Sequence, residues 1–311
     1  MNNFLQTLRY IKNFKFSFWT AYLIKYQIPI NDVKITPGGN LLFKYMNVEL
    51  SKNNPDFFLK HYKRFFKGFS ETGLVTIIPE SDAVCIGFNR AQKFILKTET
   101  DLRVFEEIYL GNAYNITIPG PVEVIDIGMN IGLASLYFAA QPNVKKVYAF
   151  EPFKDTYDQA ELNFEHNPEI ASKIQPFHFG LGSSNRLEEF FYNPLEKGYM
   201  GMINNSKSDQ VVSVSIKNVT EVLKPILEAA EQVKYFAKID CEGAEYEIID
   251  SLYNSGLLQK MDAVIIEWHQ VNDLIAKIDK MKSQFTQSGF SCFFNGSFYH
   301  NCGLLIAQKV Y

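Results

Sequence analysis

The sequence predicts an α/β fold, in which a seven-stranded, mainly parallel sheet carries helices on both faces and ends in a β-hairpin. An N-terminal α+β accessory region precedes it. Three observations lead there. After about residue 120, short apolar runs alternate with amphipathic segments, the grammar of parallel strands joined by helical crossovers. The first of these runs, VEVIDIG (122–128), is nearly all apolar and stops at a glycine, as a strand buried on both faces does. The composition is that of a globular protein, with 47% hydrophobic and 21% charged residues among 311. We therefore divide the chain into an accessory region, 1–115, and a sheet domain, 116–311.

The elements follow in order. LASLYFAAQ (133–141) reads as a helix that Pro142 helps to end, and KVYAF (146–150) as a second strand stopped by Glu151-Pro152. A helix is expected over 153–166 and a third strand over IQPFHFGLG (174–182). Residues 187–216 hold two strand-like runs, LEEFFY and VVSVSI, which look like an insertion. NVTEVLKPILEAAEQV carries a helix despite Pro225. KYFAKID (234–240) is a fourth strand, AEYEIIDSLY (244–253) a helix and AVIIEWH (263–269) a fifth strand. NDLIAKIDKMKSQFTQSG is an amphipathic helix with Gly289 as its stop. FSCFFN (290–295) and CGLLIAQKV (302–310) have the pattern of a terminal hairpin.

Before residue 120 the runs LVTII (74–78), AVCIGF (83–88) and KFIL (93–96) are strand-like, and Pro37-Gly38-Gly39 marks a turn. Residues 4–30 are apolar and basic. Arg9, Lys12 and Lys15 interrupt any signal-peptide core, and no A-x-A site follows. Packing on its own domain or on a partner subunit is expected of this segment, with contact to a membrane surface the alternative. No apolar run is long enough to span a bilayer. Cys85, Cys241, Cys292 and Cys302 show no C-x-x-C spacing, which argues against a zinc ribbon or a redox pair and for reduced thiols in the cytoplasm. A net charge of −3 argues against nucleic acid as partner. A homo-oligomer stays open.

Ligands of open parallel sheets bind outside the carboxyl ends of the strands. The polar residues gathered there are Asp126, Gly128, Asn130 and Gly132; Glu151; His178; Asp240, Glu242 and Glu245; and Glu267 with His269. The set is acidic, holds no arginine, and has Lys238 as its nearby cation, so it suits a cationic ligand better than a phosphate. The first loop, D-I-G-M-N-I-G, places Asn130 where a dinucleotide fingerprint needs its second glycine, which disfavours pyrophosphate. Glu151, 19 residues after Gly132, stands where an acid holds a ribose diol. A ribose without phosphate, joined to a positively charged amino-acid end, describes S-adenosylmethionine.

These pieces resemble the FkbM family of S-adenosylmethionine-dependent methyltransferases. The matching segments are EVIDIGMNIG (123–132), VYAFEP (147–152), FHFGLG (177–182), VVSVSI (211–216), KIDCEGAEYEII (238–249) and VIIEWH (264–269), with DLRVFEEIYLGNAY (101–114) as a lead-in. The resemblance implies a Rossmann-like class I methyltransferase fold and O-methylation of a sugar or other hydroxylated metabolite, with no metal. It implies that Asp126, Gly128, Asn130 and Gly132 surround the methionine end of the cofactor, that Glu151 holds the ribose, and that His178 and Phe179 border the adenine. Asp240, Glu242 and His269 would face the methyl group and the acceptor, a small molecule or glycan.

His269 is the first choice of general base, because imidazole titrates near neutral pH; Asp240 is the second, or else orients the hydroxyl. Lys238 would keep Glu242 or Asp240 ionised. Glu245 is expected to serve its helix dipole, Cys241 to fill space and Trp268 to pack. Tyr109 and Tyr114 are weighed as cover for the cofactor, while His61, His166 and His300 take no role. Two rivals remain: a catalytically silent binding protein with the same pocket, and a nucleotide-dependent oxidoreductase.

Overall fold

The computed structural model describes residues 2–15, 17–53, 56–72, 76–80, 83–88, 92–115, 117–191, 211–229, 232–295 and 302–310. The chain forms two compact units, Met1–Glu106 and Glu107–Tyr311.

In the first unit, helices Asn2–Phe14 and Phe18–Lys25 lead into a three-stranded antiparallel sheet, Val33–Ile35, Leu41–Phe43 and Val48–Leu50. Part of the basic N-terminal segment packs inward, while Leu8 and Phe18 stay exposed. Tyr10, Trp19 and Leu23 are buried, Tyr10 donates its hydroxyl proton to the Ile28 carbonyl at 2.6 Å, and the Trp19 indole N–H donates to the Gly39 carbonyl at 2.9 Å. Phe43, Phe58, Tyr62 and Phe65 form a ring cluster in which Phe58 and Phe65 stack at 5.3 Å. A second antiparallel sheet joins Thr76–Pro79, Val84–Phe88 and Gln92–Leu96. Helix Glu99–Phe105 opens with a capping box in which Thr98 and Asp101 satisfy each other's backbone N–H.

We number the elements of the second unit. Its strands are β1 (Val122–Ile127), β2 (Val144–Phe150), β3 (Ile174–Phe177), β4 (Gly180–Gly182), β5 (Arg186–Phe191), β6 (Val211–Asn218), β7 (Lys234–Ile239), β8 (Ala263–His269), β9 (Phe290–Asn295) and β10 (Cys302–Lys309). Its helices are α1 (Leu133–Ala139), α2 (Lys154–Glu165), α3 (Pro168–Ala171), α4 (Val219–Leu227), α5 (Glu245–Asn254) and α6 (Leu274–Gln287). The seven-stranded sheet has the order β9-β10-β8-β7-β1-β2-β3, with β10 antiparallel to both of its neighbours. This is the predicted Rossmann-like sheet with a hairpin edge. Strand order reverses between β1 and β7, so the ligand crevice lies at their carboxyl ends. The core includes Ile125, Ile127, Ala237, Ile239, Val264 and Ile266, all at most 1% exposed, which explains the near-continuous apolar runs.

One predicted strand is two. The run 174–182 bends at His178 and Phe179; Ile174–Phe177 stays in the main sheet, while Gly180–Gly182 pairs in parallel with β6. A Cβ at Gly180 would meet Ile216 at 2.7 Å, so glycine permits this close approach. The presumed insertion is ordered where described. β5 pairs antiparallel with β6, completing a small sheet β4-β6-β5, and residues 192–210 between them lie outside the described residues, as does the hairpin turn 296–301.

Trp268 is fully buried on β8 and stacks on Phe294 at 5.4 Å. Gly303 faces it across the β8–β10 ladder, where an added Cβ would lie 2.5 Å from the indole. Gly303→Ala should therefore destabilise the unit by about 1–3 kcal/mol, the range for overpacking, measured by urea unfolding. Wild-type stability in this variant would show that the hairpin edge moves freely.

Candidate active site

A cavity opens at the carboxyl ends of β1, β2 and β7. The loop after β1 forms one wall. Its backbone is left-handed at Gly128 (φ 80°), Asn130 (φ 52°) and Gly132 (φ 82°). Gly128 is required on two counts, since a Cβ there would also stand 1.8 Å from the Asp240 carbonyl oxygen. Asparagine is the side-chain-bearing residue that tolerates this conformation best; the Asn130 Oδ1 accepts the Ile131 N–H at 2.8 Å.

Glu151, 5% exposed, directly follows β2 on the same wall. Its Oε2 accepts the Asn130 N–H and its Oε1 the Phe153 N–H, each at 3.0 Å. Two backbone bonds fix the carboxyl plane and leave further lone pairs free. Burial pushes its pKa up to about 7, against the pull of those two N–H groups and of Lys238.

Asp126 and Lys238 lie beneath the loop, 0% and 2% exposed, and do not line the cavity. Asp126 Oδ2 accepts the Ser135 hydroxyl at 2.6 Å, and its Oδ1 stands 3.4 Å from the Lys238 ammonium. Lys238 donates to the Gly128 carbonyl at 2.5 Å and lies 3.4 Å from Asp240 Oδ2. Burial opposes the ammonium charge, but Asp126 and Asp240 outweigh it and hold the pKa well above the ordinary lysine value. Of the two acids weighed for Lys238, Asp240 is the one its ammonium meets. Gly132 caps α1 outside the cavity, where a Cβ would strike the Phe164 ring at 2.6 Å; its role here is close helix packing.

Asp240, Cys241 and Glu242 form another wall, beside Gly128. Glu242 is also left-handed (φ 49°), a conformation that costs a non-glycine residue about 1–2 kcal/mol. Behind them stands His269, 7% exposed, whose Nε2 lies 3.5 Å from Glu242 Oε2 and 4.0 Å from Asp240 Oδ1. Glu245, fully buried in the first turn of α5, accepts N–H bonds from Gly243 (2.8 Å) and His269 (2.7 Å) and faces His269 Nδ1 at 3.5 Å. It welds α5 to β8, a structural role beyond the helix dipole. For His269, burial works against charge, but Glu245, Glu242 and Asp240 reverse it and raise the pKa to about 10. At neutral pH the ring therefore carries a proton, which is the opposite of the state a general base needs. Glu267, two residues earlier, is pushed up to about 8 by burial and by Asp240. Burial likewise holds the Cys241 thiol protonated, and it faces the Ile127 carbonyl at 3.6 Å.

The other expected residues lie apart. His178 is exposed and sits against Tyr157 at 4.9 Å, and Phe179 packs on Phe150 and Phe177. Neither lines the cavity, nor do the buried Tyr109 and Tyr114. His300 lies outside the described residues.

The sequence reading missed the third wall. Arg186, Glu188 and Phe190 of β5 line the cavity with Phe150, Leu181 and Ile216. Their period-two spacing, one face of one strand, was the available signal. The site thus contains an arginine, contrary to expectation. Its charge is already engaged, by Glu188 at 2.8 Å and by Glu247 at 2.7 Å.

Residues 126–292, more than half of the chain, match the model of the Methyltransferase FkbM domain. Hexuronic acid methyltransferase AglP of Haloferax volcanii is 29% identical over 147 residues, which are 46% of this chain and 54% of that one. AMB antimetabolite synthetase AmbE of Pseudomonas aeruginosa is 24% identical over 226 residues, 60% of this chain and 10% of that far longer protein. The chain thus spans little more than half, or much less, of the length of these two relatives. A crystal structure of Methyltransferase FkbM from Methylobacillus flagellatus KT aligns with 66% of this chain and 48% of that one, at 15% identity and a TM-score of 0.43. The domain match, laid over the loop, acid and strand-end motifs just described, makes this chain a member of the FkbM methyltransferase family.

Proposed function

We propose that this protein is an S-adenosylmethionine-dependent O-methyltransferase whose acceptor is a hydroxyl of a sugar or other small hydroxylated metabolite. The observation that carries the reading is Glu151, a buried carboxyl fixed by two backbone N–H bonds on the same cavity wall as a left-handed glycine-asparagine loop. The residues fit the cofactor. Glu151 offers both oxygens to a ribose diol, and Gly128 and Asn130 border the space for an amino-acid end. Phe150, Leu181, Phe190 and Ile216 supply apolar surface for a base. Arg186 is neutralised by its two acids, so it adds no phosphate site. When bound, the cofactor supplies a methyl group on a positively charged sulfur, which an acidic wall attracts.

Asp240 and Glu242 reach the cavity and, with His269, form the face we assign to the acceptor. They orient its hydroxyl and handle its proton as a group. Orientation of this kind contributes up to about 7–11 kcal/mol in favourable systems. A methyltransferase of hexuronic acid among the relatives supports a sugar-like acceptor. The net charge of −3 supports a small molecule or glycan over nucleic acid. No described helix is long and apolar enough to cross a membrane.

Glu151→Ala should weaken S-adenosylhomocysteine binding by about 1–3 kcal/mol in titration calorimetry; unchanged affinity would remove the ribose role. The ionised carboxyl is the better acceptor for two hydroxyls, and its pKa of about 7 sets the pH window. Affinity should fall roughly tenfold from pH 8 to pH 6 in the wild type as the carboxyl takes up its proton, and stay flat in Glu151→Gln. His269→Ala should lower turnover by about 10²-fold or more in a cofactor-product release assay with a panel of sugars and uronic acids, while cofactor affinity changes little. Equal turnover would clear His269 of any part in the chemistry.

A further inference from the structure

We infer that Asp240, Glu242 and His269 form a site for a divalent cation that binds the acceptor through two adjacent oxygens. The inference rests on the methyl-transfer reading and deepens it, although the family resemblance implied no metal. Each of the three residues offers one ligand atom, and these atoms lie within 4.8 Å of one another. Two ligands bound at about 2.1 Å to one metal stand roughly 3.0–4.2 Å apart, according to the angle between them. His269 Nε2 is 3.5 Å from Glu242 Oε2 and 4.0 Å from Asp240 Oδ1. Those separations exceed good hydrogen bonds and match ligands around a common centre.

The histidine is a second, independent observation. It is 93% buried, being 7% exposed, and Nε2 points between two carboxylates, while Nδ1 has no hydrogen-bond partner. Nδ1 instead faces Glu245 Oε1 at 3.5 Å, and Glu245 is itself anchored by the backbone N–H groups of Gly243 and His269. A carboxylate behind the far nitrogen of an imidazole is the arrangement that orients metal-binding histidines. Here it gives Glu245 the task of a positioning residue. Two ligands sit at rigid strand ends, since Asp240 directly follows β7 and His269 ends β8.

Two carboxylates and one imidazole suit a cation that takes both oxygen and nitrogen ligands, Mn²⁺ foremost. Three protein ligands leave positions open for the acceptor. A vicinal diol or an α-hydroxy acid fills two of them, which selects sugars and uronic acids over isolated alcohols. Binding of the cation displaces the Nε2 proton of His269 to solvent, because a ligating imidazole is neutral; the cation then draws electron density from the bound hydroxyl, whose proton also leaves to solvent water. The freed oxygen lone pair forms the bond to the methyl carbon as the carbon–sulfur bond breaks, and that electron pair returns to sulfur. The products are the methyl ether, a neutral thioether and one proton.

The test uses the full chain, stripped with a chelator and titrated with MnCl₂ in a calorimeter, with MgCl₂ and ZnCl₂ as separate arms. One cation per chain is expected. Asp240→Asn, Glu242→Gln and Glu245→Gln should each weaken it by at least about tenfold, and His269→Ala more. Thermal melts with and without Mn²⁺ give a second readout: the wild type should gain stability and His269→Ala should not. The inference is overturned if none of the three cations binds, or if Mn²⁺ binds His269→Ala and Glu242→Gln as it binds the wild type. A parallel titration of the stripped protein with S-adenosylhomocysteine separates the two readings. Cofactor binding without any cation binding removes this inference alone, whereas failure of the cofactor titration removes the methyltransferase reading.

Discussion

The buried ammonium of Lys238 is the fixed point of the sheet domain. It binds Asp126 on β1, the carbonyl of Gly128 in the loop that follows, and Asp240 at the end of β7. These groups stand on either side of the place where strand order reverses. One charge therefore ties together the ends of the two paired strands at which the crevice opens. Removing one partner of a buried ion pair costs about 3–5 kcal/mol, because the other is left uncompensated. Asp126 thus acts on the cavity from below, by holding the lysine that holds the loop.

From that anchor outward, the cavity is shaped by backbone that the fold holds in conformations most residues avoid. Asn130 and Glu242 are both left-handed, and both line the cavity. Strain concentrated at a binding site is tolerated only where the surroundings over-determine it. Here they do. Asn130 is held by its bond to Glu151, and Glu242 lies next to Gly243, which is tied to Glu245. The shape a ligand meets is set during folding, which lowers the ordering cost at binding.

The parallel strands and their crossover helices were legible because burial on both faces leaves an apolar run with sharp polar ends. β8 runs over the residues predicted, Ala263–His269. The predicted strand over 174–182 failed at His178 because nothing in the run marks where hydrogen bonding changes partner; Gly180 marks it only once Ile216 is known to lie against it. The acids at the strand ends were legible as a set, since topology alone gathers them. Their protonation was not. His269 read as a neutral base because the three carboxylates around it come from residues 240, 242 and 245, whose convergence on one ring depends on the turn between β7 and α5. Arg186 was missed because β5 reads as part of an insertion, and its partner Glu247 lies 61 residues away.

The chain has two tryptophans, and the fold gives one to each compact unit. Trp19 is sealed among the N-terminal helices and Trp268 sits beside His269. Both are natural emission probes shielded from water. Replacing either with phenylalanine leaves a chain whose fluorescence reports one unit alone, so the order in which the two halves lose their cores is readable without a dye.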